Sequence, residues 1–195
     1  MKFDVIIIGA GSAGMQVATA LQKAGRKTAV IGLGRSINEV EVKPYERLGG
    51  TLLIGDSVSE GLFEDGRLKA VRTANLGAYT LEADRFVLAT GKFLGGGLVA
   101  DMERVYEPLF GLDAIWDEDR SRWFDADFGA PQPFLSFGLK TDAQSRPSLG
   151  GRTVENLYAC GEILAGVSAV DGREAIAASA AKVLSILTEE GHAEA

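Results

Sequence analysis

The residues best placed to do chemistry here are glycines. Gly9, Gly11 and Gly14 stand at the spacing G-x-G-x-x-G in Gly9-Ala10-Gly11-Ser12-Ala13-Gly14. Alone the spacing is a weak signal, because glycine turns are common and a hexapeptide recurs by chance. Its context strengthens it. Phe3-Asp4-Val5-Ile6-Ile7-Ile8 precedes it as a β-branched run, the pattern of a strand buried on both faces. Met15, Val17, Ala18 and Leu21 follow at helical spacing, and Gly25 closes the helix. In such a strand–turn–helix the first glycine permits the tight turn and the second lets a pyrophosphate approach the backbone. The third lets helix and strand pack closely. The helix N-terminus adds free N–H groups and the positive end of its dipole. Gly9, Ala10, Gly11, Ser12, Ala13 and Gly14 are therefore the expected anion cradle. Within it Ser12 is either a hydroxyl donor to the pyrophosphate or simply an early helix residue.

One expected part is missing. A dinucleotide site usually carries Asp or Glu near the end of its second strand, where it holds the adenosine ribose. Thr28-Ala29-Val30-Ile31 reads as that strand, yet the position falls at Gly32, in Ile31-Gly32-Leu33-Gly34-Arg35. Backbone groups at Gly32 or the Ser36 hydroxyl would then hold the ribose. Arg35 is either a ligand for a 2′-phosphate, pointing to NADP, or a solvated loop charge.

Other chemistries are excluded or weak. The chain has one histidine, His192, and one cysteine, Cys160. A catalytic triad, a histidine pair or a His-rich metal site has no residues to build from. An internal disulfide is impossible, and the lone cysteine fits a reducing compartment. Cys160 is either a redox thiol or a small buried hydrophobe. The net charge of −7, with no cluster of Lys or Arg, argues against nucleic acid as a partner. The apolar stretch from Val5 to Leu21 is broken by Gly9, Gly11, Ser12, Gly14 and Gln16, so it reads as strand and helix rather than a signal peptide or membrane span. A cytoplasmic protein without membrane insertion of its own is expected.

These residues need a frame to position them. With 195 residues, 46% hydrophobic and 24% charged, the chain fits one ordinary globular domain. Its 25 glycines are nearly twice the usual ~7% share, yet without a G-X-Y period they serve turns and backbone–ligand contacts. After the first strand–helix–strand unit, Lys43-Pro44 is expected to interrupt any helix between Ile37 and Leu48. Thr51 to Ile54 reads as a strand. From Ser57 the period is two: Ser57 to Phe63, a hairpin turn at Glu64-Asp65-Gly66, Leu68 to Thr73, a turn at Asn75-Leu76-Gly77, and Ala78 to Glu82. Phe86 to Ala89 reads as a separate short buried strand ending in Thr90-Gly91. Phe137 to Thr141 and Leu157 to Cys160 are further strands, and a helix runs from Gly172 to about Glu190. The expected fold is α/β, a Rossmann-like domain over 1–190 with a parallel sheet, an antiparallel β meander at about 57–83, and a tail at 191–195.

The order of these pieces adds a longer pattern. A meander, then Val87-Leu88-Ala89-Thr90-Gly91, then Glu155-Asn156-Leu157-Tyr158-Ala159-Cys160-Gly161-Glu162 before a last helix resembles the glutathione-reductase-like FAD fold. That resemblance implies that Thr90 and Gly91 pass near the cofactor and that Gly161-Glu162 offers a carboxylate to the ribitol hydroxyls. It implies that Gly172 to Ala175 direct a helix N-terminus at the flavin. Val58, at the start of the meander, joins the implied set.

A narrower resemblance rests on Ala89-Thr90-Gly91-Lys92-Phe93, Gly95-Gly96-Gly97-Leu98-Val99-Ala100, Glu107-Pro108 and Phe110-Gly111-Leu112-Asp113. Ala130-Pro131-Gln132-Pro133-Phe134, Phe137-Gly138, Thr141-Asp142, Arg146-Pro147-Ser148 and Glu155 to Ala159 continue it in order. Together these resemble the B subunit of anaerobic glycerol-3-phosphate dehydrogenase over residues 1–36 and about 49–187. Members are much longer, with a large segment where this chain has only Ile37 to Leu48, so the chain resembles the cofactor domain without its substrate-binding cap.

The resemblance implies an FAD-binding flavoprotein oxidoreductase or electron-transfer subunit. The family is sometimes described with FMN, but the pyrophosphate turn favours FAD. The implied partners are a dehydrogenase subunit as donor and an iron–sulfur acceptor subunit at the membrane, or else a second copy of the chain, and location would be cytoplasmic or peripheral to the inner membrane. The alternatives are a non-catalytic nucleotide-binding or scaffolding subunit, and an NAD(P)-dependent reductase. Between Asp101 and Phe128 lie nine acidic and three basic side chains with Trp116, Trp123, Phe124 and Phe128 among them. That stretch is either a solvated face or a partner surface, and the two tryptophans are either contact residues or packed within their own domain.

Overall fold

In a computed structural model the chain is described at residues 1–33, 39–168, 170 and 173–193. Strand β1 (Lys2–Ile8) leads into helix α1 (Ser12–Lys23) and strand β2 (Thr28–Gly32). α1 ends as its glycine requires: Gly25 sits at φ +82°, and the Arg26 N–H donates back to Leu21 O. Helix α2 (Glu39–Arg47) and strand β3 (Thr51–Ile54) follow. The meander is β4 (Val58–Glu64), β5 (Arg67–Thr73) and β6 (Thr80–Leu88). Its first turn has Asp65 and Gly66 both at positive φ, +50° and +75°, as a two-residue hairpin demands.

The main sheet runs β3-β2-β1-β6-β5-β4, and β13 (Leu157–Ala159) also pairs with β6. β3, β2, β1, β6 and β13 are parallel. The sequence suggests two strands where the structure has the single strand β6. Its first half is hydrogen-bonded to antiparallel β5 (Leu81 opposite Val71) and alternates in burial. Its second half lies between β1 and β13, is buried on both faces, and so loses the alternation.

Alternation assigns each side chain to a layer. On one face Ile6, Ile8, Ile31, Phe86, Leu88 and Leu157 pack with the meander and the loops beyond it. On the other, Val5, Ile7, Val30, Val87, Tyr158 and Cys160 pack under α1, α2 and the last helix, α3 (Arg173–Ala193). α3 runs past its expected end near Glu190 to Ala193, with Tyr158 Oη donating to Glu190, which also pairs with Arg85 at 2.9 Å.

α2 corrects the expected break at Pro44, which lies inside the helix. Proline costs such a helix a hydrogen bond and strain, but the buried Val42 and Tyr45 anchor it. The Tyr45 hydroxyl lies 2.9 Å from Thr28 Oγ1 and donates to Thr51 O at 3.2 Å. Tertiary packing outweighs local propensity here. From 99 to 153 the chain makes three small two-stranded sheets: β7 (Val99–Ala100) with β8 (Val105–Tyr106), β9 (Ala114–Ile115) with β10 (Gly138–Leu139), and β11 (Ser148–Leu149) with β12 (Arg152–Thr153). The strand expected from Phe137 to Thr141 is thus only Gly138–Leu139.

Candidate functional site

The candidate site lies at the C-terminal edge of the parallel strands, where open α/β sheets bind ligands. Gly9 follows β1 at φ +116°, and a Cβ there would collide with the Ala89 carbonyl beyond β6. Gly14 is pressed against Gly9 O, so a Cβ would separate α1 from β1. Gly11 differs: a Cβ there would meet nothing within 4 Å. The first and third glycines are thus required by the fold, and the second leaves backbone exposed to whatever occupies the turn. Gly11 is the N-cap of α1 with no side chain capping it, so the first N–H groups of the helix carry no capping side chain. Ser12 is exposed in the first turn, while Ala13 is buried beneath it.

Neighbouring strands bring in the remaining residues. Gly32, at the end of β2, is packed so closely on the turn that a Cβ would lie 2.7 Å from Ala10 Cβ. Leu33 beyond it is exposed, and no acidic side chain stands at this strand end. The Gly55 N–H donates to Gly32 O at 2.9 Å, and Val58 follows three residues later, half-buried on the core. Gly91 lies at φ +72°. Gly161 lies at φ +81° with its Cα facing Ala13, and its N–H donates to Ser179 Oγ at 2.9 Å. Glu162 sits in the short 3-10 turn Gly161–Ile163 that follows β13. The exposed Ala175 lies in the first turn of α3, beside a groove shared by Ser12, Arg173 and Ile176. The glycine turn and the residues at 32, 90–91, 161–162 and 175 therefore cluster at one edge. Arg35, Ser36 and Gly172 lie outside the described residues.

Thr90 supplies a further observation. Its Oγ1 is buried and, among the described residues, has no hydrogen-bond partner. A hydroxyl in that state is an energetic liability unless something at the site completes it. A Cβ on Gly97 would come within 2.6 Å of this oxygen, so Gly97 keeps the pocket beside it small. An uncapped helix N-terminus, an open glycine and an orphaned hydroxyl at one strand edge suit a phosphate-bearing dinucleotide.

Three contributors escape a sequence reading. Ser179 fixes the Gly161 backbone to α3 and donates its own proton to Ile176 O at 2.7 Å. Gly97 forms the wall against Thr90. The buried Lys92 donates from Nζ to Leu135 O and to Val167 O, the latter at 2.6 Å, tying three loops beside the site. A lysine between Gly91 and Phe93 is the only sequence signal for the last. Cys160 is resolved in favour of packing: it is fully buried and burial pushes its thiol up to about 12, so it is not a thiolate. Among the described residues no group of acidic, His or Cys side chains is arranged to hold a metal.

Fold and site define a dinucleotide-binding α/β protein with the cofactor turn after its first strand. More narrowly, the chain belongs to the FAD binding domain family, whose model matches residues 4–39 and 45–177, and its cofactor is FAD. It is 40% identical over 141 residues to the B subunit of anaerobic glycerol-3-phosphate dehydrogenase from Vibrio vulnificus. That match covers 71% of this chain and 32% of the relative. The B subunit of the same enzyme from Yersinia pseudotuberculosis is 38% identical over 134 residues, covering 69% and 32%. The chain thus spans about a third of the length of the curated relatives it matches.

Among solved structures it is similar to a thioredoxin reductase from Gloeobacter violaceus (TM-score 0.59, 12% identity, covering 100% of this chain and 97% of that one). It is also similar to THI4 of Thermovibrio ammonificans (0.58, 13%, 98% and 90%). These likenesses concern the fold. Among the described residues no helix is long and apolar enough to cross a membrane.

Proposed function

We propose that the chain is a flavoprotein oxidoreductase or electron-transfer subunit in which residues 1–190 act as one FAD-binding domain. The reading is carried by one observation: the open backbone at Gly11 on the uncapped end of α1, set beside the orphaned Thr90 hydroxyl. In this reading the backbone of Gly9 to Gly14 and the dipole of α1 hold the pyrophosphate. Gly32, Ser36 and Arg35 serve the adenosine end, with Val58 beside them. Glu162 accepts from the ribitol hydroxyls, and Thr90 donates to the cofactor. Gly91, Gly161, Gly172 and Ala175 bring backbone and the first turn of α3 to the isoalloxazine. FAD supplies the redox chemistry; the protein orients it and tunes its charge.

The relatives' names support a place beside a glycerol-3-phosphate-oxidising subunit and an electron acceptor, with location at the inner membrane through those partners. The purified chain should show the bands of a bound flavin, and heat should release FAD rather than FMN. Gly11→Val should keep the fold, since nothing lies within 4 Å of its Cβ, and abolish FAD retention. Recovery of FMN alone, or full flavin on Gly11→Val, would sink the proposal. Bound FAD without turnover of any artificial acceptor would leave the scaffolding role instead.

A further inference from the structure

The residues from 92 to 135 carry a surface feature that the cofactor site does not use. Phe128 is 96% exposed and Phe124 63%, and Leu94 is 99% exposed on the adjacent turn. That turn is held to the region by the Phe93–Phe134 ring contact at 6.0 Å and by the Lys92 bond to Leu135 O. Trp116 and Trp123 are not part of the exposed set. They are half-buried, meet each other edge to face at 6.2 Å and pack with Phe137, and Trp123 Nε1 donates to Asp117 O. They form the base on which the outer loop stands.

The loop that presents Phe124 and Phe128 is held in one shape. Asp125 accepts from Asp127 N, Asp127 from Gly129 N, and the Ala130 N–H donates to Asp127 O. Gln132 closes the ends, accepting from Asp125 N and donating to Asp127 O. Two phenylalanines fixed in water on a pre-ordered loop carry a solvation cost with no return in the fold. Pre-ordering removes an entropy cost from association, and buried aromatics dominate binding energy.

Charge says what covers them. Around the phenylalanines stand Asp117, Glu118, Asp119, Asp125 and Asp127, against Arg120 and Arg122. Arg122 is already paired with Asp117 and Asp119, and Arg120 lies over the Trp123 ring at 5.3 Å. The rim is net acidic. Two copies meeting face to face at Phe128 would set Asp125 and Asp127 against themselves, and an anionic lipid surface is repelled for the same reason.

We infer that the Phe124–Phe128 loop is the docking point for a second, different protein, whose contact face has an apolar centre and a basic rim. The inference deepens the reading of the chain as a subunit, but its test does not depend on the flavin. Full-length, FAD-loaded chain is titrated with a labelled amphipathic helical peptide of leucine and lysine, and with its leucine–glutamate counterpart, by fluorescence anisotropy.

The lysine peptide should bind at least about tenfold more tightly than the glutamate one. Phe124→Ser with Phe128→Ser should weaken it about tenfold, the scale of aromatic anchors. Asp125→Asn with Asp127→Asn keeps the accepting oxygens that shape the loop. It should weaken binding a few-fold and flatten its salt dependence, with an unchanged thermal midpoint.

Flavin content, measured separately, should be equal in all variants, so loss of FAD would count against the cofactor reading alone. Equal affinity for the two peptides, or binding unaffected by the phenylalanine changes, overturns the inference. So does self-association of the wild type in sedimentation that the phenylalanine variant lacks.

Discussion

Thr90 offers a test that separates an apo cost from a ligand contact. Its Oγ1 is buried without a partner among the described residues, beside Gly97 and the Gly91 turn. A buried, unmet hydroxyl costs about 1–3 kcal/mol. Thr90→Val replaces it with a methyl group of similar volume, so the apo protein should gain stability by about that amount. For a chain of this size each kcal/mol moves the midpoint by about 2–4 °C. If FAD completes the hydroxyl, the wild type recovers the cost on binding and the variant has none to recover. The same 1–3 kcal/mol then appears as weaker binding, roughly 5- to 150-fold in Kd. Differential scanning of apo and FAD-loaded protein, with calorimetric titration of FAD, reads both halves. A less stable apo variant, or an unchanged Kd, refutes the reasoning, because either means the hydroxyl is met elsewhere.

Two other predictions concern the frame. Buried Asn156 accepts from Leu68 N at 2.9 Å and donates to Leu68 O and Asp84 O, tying the meander to β13. Asn156→Leu leaves those backbone groups unmet and should cost about 2–4 kcal/mol in urea unfolding; a cost under ~0.5 kcal/mol would show that the meander is held by other contacts. Buried Glu107 accepts from Leu109, Phe110 and Leu112 N–H groups, yet burial outweighs them and raises its pKa above the ordinary 4.5. A raised folded-state value means that its stabilisation is full below the unfolded pKa and is lost as pH rises through the folded one. The stability difference between wild type and Glu107→Gln should therefore shrink as pH climbs past 4.5; a difference that grows with pH would reverse the assigned cause.

What the sequence discloses follows from the range of the forces involved. The β1–turn–α1 unit is legible because each part declares itself locally. β1 is a β-branched run buried on both faces, α1 has an apolar stripe, and Gly9 and Gly14 are positions where a Cβ collides with backbone. The hairpin at Asp65-Gly66 is legible for the same reason. α2 is not, because its stability comes from Tyr45 reaching Thr28 and Thr51 across the sheet edge, and no window around Pro44 contains those partners. β6 reads as two strands because its neighbours change halfway along, from β5 to β13, and only pairing reveals that.

The site shows the same division one level up. The glycine turn is a local signal, but Thr90 becomes meaningful only when Gly97 and the 3-10 turn at Gly161 close around it, and Ser179 only when α3 returns beside Gly161. Lys92 is the sharpest case. A lysine in a glycine-rich stretch reads as solvent-facing, yet its ammonium is buried against the carbonyls of Leu135 and Val167. A buried cation is tolerated only where fixed acceptors meet it. Those acceptors lie 43 and 75 residues away in the chain. The strand edge that opens toward FAD is therefore encoded in two parts: a short motif that marks where the phosphates go, and distant residues that hold the surrounding loops in place.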